Sequence, residues 1–303
     1  MENAVIILRQ TGIMFLYMAV GFVLFRRNLI TKEGSKSLAH LLLYVILPCV
    51  IIRSFLIERN TENVQMILWS FAGAILVLAI AMAVAFSFFR KRPVDQFGAS
   101  FSNAGFMGIP LITASLGEHA VVYAAAMIAL LNILQWTYGQ WLLSGDRKEI
   151  QIKKVLLNPL VVALLLGLLL FATQVQLPGI ITGCMGSISQ LNGPVAMIIL
   201  GVYLGELKIR DIFCDRRAWL CSFVRLVVTG ILTMAAVGFL FSSRRELGEA
   251  LLICAIAPVG SNVAVYAQKL NSDYKYAVKT VCLSTLLSVL TMPVIIYFFE
   301  TKL

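Results

Sequence analysis

The sequence predicts an all-α integral membrane protein: about ten transmembrane helices as two inverted five-helix repeats, with crossed, broken helices 4 and 9. Three observations carry this. Of 303 residues, 60% are hydrophobic and only 13% charged, and the mean hydropathy of +0.89 excludes an ordinary soluble domain. Apolar stretches of roughly 20 residues, each able to cross a ~30 Å hydrocarbon core as a helix, recur about ten times: 4–25, 37–57, 64–89, 96–117, 119–143, 156–174, 178–204, 217–241, 247–270 and 276–299. Two of these stretches, the fourth and the ninth, are interrupted, at Ser102–Pro110 and at Ala257–Asn262.

The connections are short, so little chain is left for a domain outside the bilayer. About 17 lysines and arginines fall in alternate connections, among them Arg26, Arg27, Lys32, Lys36, Arg90, Lys91, Arg92, Arg147, Lys148, Lys153, Lys154, Lys208, Arg210, Arg216, Arg217, Lys269 and Lys275. The other connections and tails hold about four: Arg59, Arg244, Arg245 and Lys302. The positive-inside rule places the first set in the cytoplasm. The expected protein is therefore multi-pass in the cell (plasma or inner) membrane, with both termini extracytoplasmic. The net charge of +10 is loop charge facing membrane lipids, not a nucleic-acid footprint. Met1-Glu2-Asn3 lacks a basic lead, so span 1 reads as retained rather than as a signal peptide. The six cysteines have no C-x-x-C spacing and read as free thiols, mostly inside spans.

Ten spans divide into residues 1–143 as a first five-helix repeat, 144–155 as a short cytoplasmic linker and 156–303 as a second, inverted repeat. Five is odd, so the second group enters from the opposite face. Pro48 in span 2 answers Pro194 in span 7, and a shift of about 156 positions lays Ser102 on Pro258. Spans 4 and 9 then run antiparallel, and broken at mid-depth they can cross. Each second half would begin near the midplane, around Gly108–Pro110 and Ser261–Asn262. A helix N-terminus presents unpaired N–H groups and about half a positive charge. Two of them converging suit a carboxylate. Pro110 has no N–H to lose in a first turn, and Gly105, Gly108 and Gly260 permit close backbone approach.

Every aspartate and glutamate falls in a tail, a connection or the end turns of a span, so no carboxylate marks a proton or cation path. Anionic or neutral solutes fit better. Arg53 in span 2 and Arg225 in span 8 are candidate counter-charges for an anion; snorkelling of their long stems is the plainer reading of both. Lys279 reads as an interface anchor. Asn103 and Asn262, with Ser102 and Ser261, lie in the breaks and either cap the half-helices or bind the solute. Asn132, Gln135, Gln190 and Asn192 read as interhelical hydrogen-bond formers. No residue set implies a metal or a cofactor, and His40 and His119 have no ligand spacing.

Ser102-Asn103-Ala104-Gly105-Phe106-Met107-Gly108-Ile109-Pro110-Leu111 closely resembles the span-4 motif of the auxin efflux carrier family, which includes bacterial malate and malonate permeases. Asn158-Pro159, Pro194, Ala257-Pro258, Ser288 and Thr291-Met292-Pro293 are similar to that family too, so the resemblance covers essentially the whole chain. The connection Ser144 to Lys154 is short, as in prokaryotic members. The resemblance implies a transport domain on crossed helices 4 and 9 moving against a scaffold of spans 1, 2, 6 and 7. It also implies organic-anion substrates and a homodimer through the scaffold. Asn103 matches an asparagine of the plant carriers' substrate site.

The expected function is thus a secondary carrier of a small organic anion, a carboxylate such as malate, malonate or an auxin-like acid, working by alternating access. The candidate substrate-binding residues are Asn103, Gly108, Pro110, Pro258, Ser261, Asn262 and Arg53. A sodium-coupled symporter related to bile-acid carriers is the alternative, since unwound carbonyls can hold Na⁺ without a carboxylate. A membrane enzyme or sensor is the remote one: no nucleophile–base pair, phosphate loop or output domain supports it.

Overall fold

A computed structural model describes residues 2–146, 152–270 and 272–302. Among these residues the chain is helical, and extended pairing is confined to one bridge, Ser102 with Val259. Besides two short connecting helices, Ile152–Leu156 and Ile209–Phe213, the helices in order are α1 (Glu2–Arg26), α2 (Lys32–Ser54), α3 (Thr61–Phe89), α4 in two parts (Pro93–Ser100 and Ala104–Ser115), α5 (Glu118–Ser144), α6 (Pro159–Thr173), α7 (Gly179–Glu206), α8 (Arg216–Leu240), α9 in two parts (Arg245–Ile256 and Asn262–Lys269) and α10 (Tyr274–Lys302). Seven of them (α1, α2, α3, α5, α7, α8 and α10) are continuous and apolar enough to cross a membrane. The parts of α4 and α9 and the 15-residue α6 fall short of that length.

Local chemistry sets the helix starts. Thr31, Asn60, Asn158 and Asp215 cap α2, α3, α6 and α8 with side-chain oxygens that accept first-turn N–H groups. Pro93 and Pro159 sit at the first positions of α4 and α6, where a missing N–H does no harm. Gly117, at φ +96°, turns the chain from α4 into α5.

Polar contacts sort the helix ends into two sets. At one end Lys32 pairs with Glu206 (3.1 Å), Arg217 with Asp95 (2.7 Å from Nε) and Lys279 with Asp215 (3.4 Å). At the other, Arg53 pairs with Glu118 (2.8 Å), His119 with Glu246 (2.6 Å) and Asn3 with Glu249 (2.8 Å). The first, basic end carries the residues assigned to the cytoplasm; Arg147, Lys148 and Glu149 lie outside the described residues. Asp95 lies in the first turn of α4, an end turn as expected, but is fully buried, held by Arg217 and by the Tyr276 hydroxyl. It ties α4 to α8 and α10 at the basic end, so among the described residues mid-depth still holds no carboxylate.

α1 lies along the second half of α7, and α2 packs against α6 and α7. α3 lines the first part of α4 and α5, while α8 packs on α9 and α10. The α1–α7 contact is so close that a Cβ on Gly201 would sit 2.1 Å from the Met18 carbonyl oxygen, and one on Gly21 would sit 2.2 Å from that of Ile198. Small residues let helix backbones approach in this way without any hydrophobic driving force. Gly201→Leu must push α1 off α7. At a cost of ~3 kcal/mol for forced overpacking, the melting temperature in detergent is expected to fall by roughly 5–10 °C.

Candidate functional site

The breaks in α4 and α9 have different causes. In α9, Pro258 excludes Ala257 from helical geometry (φ −58°, ψ 148°). In α4 no proline acts. Ser100 Oγ donates to the Gln96 carbonyl (2.7 Å), Phe101 is extended, and Asn103 is non-helical. A serine hydroxyl bonded to the i−4 carbonyl bends a helix. The α4 break therefore spans Phe101–Asn103 and is narrower than the expected Ser102–Pro110.

The two breaks are bonded to each other. Asn103 N–H donates to the Pro258 carbonyl (2.8 Å), and Gly260 N–H donates to that of Phe101 (2.9 Å), forming a two-rung antiparallel bridge. Val259 N–H donates to Ser284 Oγ on α10 (3.1 Å). Irregular backbone inside a bundle needs such internal partners. Gly260 is required by this approach: a Cβ there would lie 3.0 Å from the Ser102 carbonyl oxygen and 3.2 Å from that of Phe101.

Around the bridge, Asn103, Ser261 and Asn262 come together with Ser102, Asn132 and Gln135 on a small cavity of about 20 Å³, room for little more than one water-sized body. Asn262 Nδ2 donates to Gln135 Oε1 (2.7 Å). Asn103 Nδ2 and Gln135 Nε2 are buried and have no hydrogen-bond partner among the described residues. Neither break uses a side chain as its helix cap: the second parts of α4 and α9 begin without a side-chain N-cap bond. The capping role expected for Asn103 and Asn262 is thereby replaced by a free donor and an orienting contact. The helix starts at Ala104 and Asn262 add two positive ends to the same place, although in α9 the Val263 and Ala264 N–H groups already bond the Gly260 and Ser261 carbonyls (3.1 Å each).

Gln135, expected as an interhelical hydrogen-bond former, is one here, accepting from Asn262 of α9, and it also lines the cavity. It opens a π-helical segment, Gln135–Gly139, in α5. Other π segments cover Leu42–Ile46, Ala104–Gly108 and Val224–Val228, and such bulges recur at functional sites.

The remaining candidates lie off the cavity. Gly108 and Pro110 are inside the second part of α4, which starts at Ala104 rather than at Gly108–Pro110. A Cβ on Gly108 would meet Cys254 Sγ of α9 at 3.3 Å, so this glycine serves helix packing. Pro110 follows the π turn, where its missing N–H leaves the Gly105 carbonyl open, and Asn192 Nδ2 donates there instead (3.0 Å). Pro258 acts through its backbone carbonyl. Arg53 is paired with Glu118 in a separate cavity of about 420 Å³, lined also by Ser54, Ile109, His119 and Gln190. Arg225 does not snorkel: it is 1% exposed, and its guanidinium bonds backbone carbonyls.

The crossing is approached from the basic end. A largely apolar cleft of about 280 Å³ shares Leu43, Phe106, Ser261 and Asn262 with the small cavity and reaches Lys32, Lys36, His40 and Glu206 at the basic end. The Arg53 cavity shares no lining residue with the crossing.

The comparisons with known proteins agree with this architecture. Residues 7–296 match the family model described as "Membrane transport protein". A protein of Rhizobium meliloti (strain 1021) named "Putative malonate transporter" is 21% identical over 283 residues, covering 88% of this chain and 87% of that protein. A bundle of apolar helices whose two broken members are bonded at their breaks, matched to that family over nearly its whole length, is a membrane transport protein of the auxin efflux carrier family.

Proposed function

We propose that this chain is a secondary carrier of a small organic anion, with one carboxylate bound where α4 and α9 cross. The observation that carries the reading is the pair of buried, unpartnered amide donors, Asn103 Nδ2 and Gln135 Nε2, beside two helix N-termini. A carboxylate accepts up to four hydrogen bonds and gains from both positive helix ends. The rest of a small acid would extend into the 280 Å³ cleft. The name of the Rhizobium relative makes malonate the first substrate to try, with malate and indole-acetate beside it.

In this reading the basic end faces the cytoplasm by the positive-inside rule, and the conformation in hand opens inward. Residues 1–143 and 156–303 act as the two inverted repeats, whose breaks meet back to back. Alternating access would open the crossing toward the Arg53 cavity, parting Arg53 on α2 from Glu118 on α5. The test is uptake of labelled malonate, malate and indole-acetate into proteoliposomes of the purified protein. Saturable flux of at least one acid, absent from protein-free liposomes, is expected. Flux of none, with amino acids or sugars moved instead, would overturn the reading.

A further inference from the structure

We propose that Arg225 is a resident cation at the crossing: it clamps the two breaks by their backbone carbonyls and takes the place of an inorganic coupling cation. The proposal rests on the crossing being the transport site. Arg225 is among the largest fully buried side chains of the protein. It stands on the π segment of α8, and its three donor nitrogens reach both interrupted helices. Nε donates to the Ala257 carbonyl (3.2 Å), Nη1 to that of Ala99 (3.1 Å) and Nη2 to that of Ala255. Among the described residues no carboxylate forms an ion pair with it.

A buried charge without a counter-charge is expensive, so something must balance it. Ala99 lies in the last turn of the first part of α4, and Ala255 in that of α9, with Ala257 just beyond. Each helix C-terminus carries about half a negative charge; two together match one guanidinium. The crossing is thus polarised, with negative ends closed by Arg225 and positive ends left for the cavity of Asn103 and Gln135. In carriers with discontinuous helices, unwound carbonyls and half-helix C-terminal ends are the groups that hold a coupling Na⁺. Here groups of that kind are occupied by a side chain, whose planar fork of donors also fixes the angle between the two helices.

The test has two arms. In the first, Na⁺ is replaced by N-methylglucamine at constant ionic strength, and the native protein is followed by melting temperature and by malonate flux. The melting temperature is expected to stay within about 2 °C and any flux within about twofold. A saturable, Na⁺-specific rise in either overturns the proposal. This arm decides the matter even if no variant folds, and its melting readout stands even if malonate is not the substrate. In the second arm, Arg225→Lys, which keeps the charge, is expected to transport at least ~10-fold faster than the similarly long but neutral Arg225→Met. A brace acting by packing alone predicts Met equal to or better than Lys, and that result also overturns the proposal.

Discussion

Gln135→Glu is expected to weaken malonate binding by more than ~100-fold while leaving the fold intact, because it replaces a donor facing the anion with a second negative charge. The variant keeps the oxygen that accepts from Asn262 Nδ2, so that internal contact survives. Asn103→Ala removes the other free donor and is expected to lose roughly 10- to 100-fold, the worth of one hydrogen bond to a charged group. Its melting temperature should change little, since Asn103 Nδ2 has no partner among the described residues to lose. Arg53→Gln is the control. Arg53 lies in the other cavity, paired with Glu118, so binding from the basic end should hold within about threefold even if turnover changes. Binding is read by scintillation proximity or calorimetry on detergent-solubilised protein. Equal losses in Arg53→Gln and Asn103→Ala would move the site to the Arg53 cavity.

Gly260→Val is expected to abolish transport through the backbone. Even a Cβ would stand 3.0 Å from the Ser102 carbonyl oxygen, and valine adds two further methyls on a stiff, branched Cβ. Relief requires separating the strands of the bridge, which sacrifices Asn103 N–H to Pro258 and Gly260 N–H to Phe101. Buried backbone groups left without partners cost about 1–3 kcal/mol each, so the variant should melt roughly 5–15 °C lower. Flux should fall below a tenth of native. Gly260→Ala, with one methyl to accommodate, should fall between. Native flux in Gly260→Val would mean that the bridge plays no part in the transport site.

How much of this was legible in the sequence depends on which interaction set each feature. The α9 break was, because the residue before a proline is excluded from helix by local sterics alone. The α4 break was recognised but drawn too wide. Pro110 drew attention to the wrong turn, since a proline after a π turn costs the helix only one carbonyl, which Asn192 satisfies. The break itself is held by pairing with α9, which local sequence does not announce; Ser100 bonding back to the Gln96 carbonyl is only a weak local cue. Charge segregation between the two ends was legible from loop composition. Gln135 was legible as an interhelical hydrogen-bond former but not as a cavity residue, because a lone glutamine on an apolar helix looks the same whether it binds a neighbour or a solute. Its role depends on α5 packing beside both breaks. Arg225 was read as a snorkelling side chain for a similar reason. Its partners are carbonyls from residues 99, 255 and 257, which become available only where two helices end inside the bundle. The one cue in the sequence was negative: no mid-span carboxylate exists to pair with it, so a buried position demanded another source of negative charge.

The central claim, that the crossed breaks hold the substrate's carboxylate between Asn103 and Gln135, is tested most directly by a cryo-EM structure of the protein in lipid nanodiscs with saturating malonate. The account predicts density bridging Asn103 Nδ2 and Gln135 Nε2 at the head of the cleft that opens to Lys32 and Lys36. Density instead at Arg53 and Gln190, with both amides still unoccupied, would contradict it.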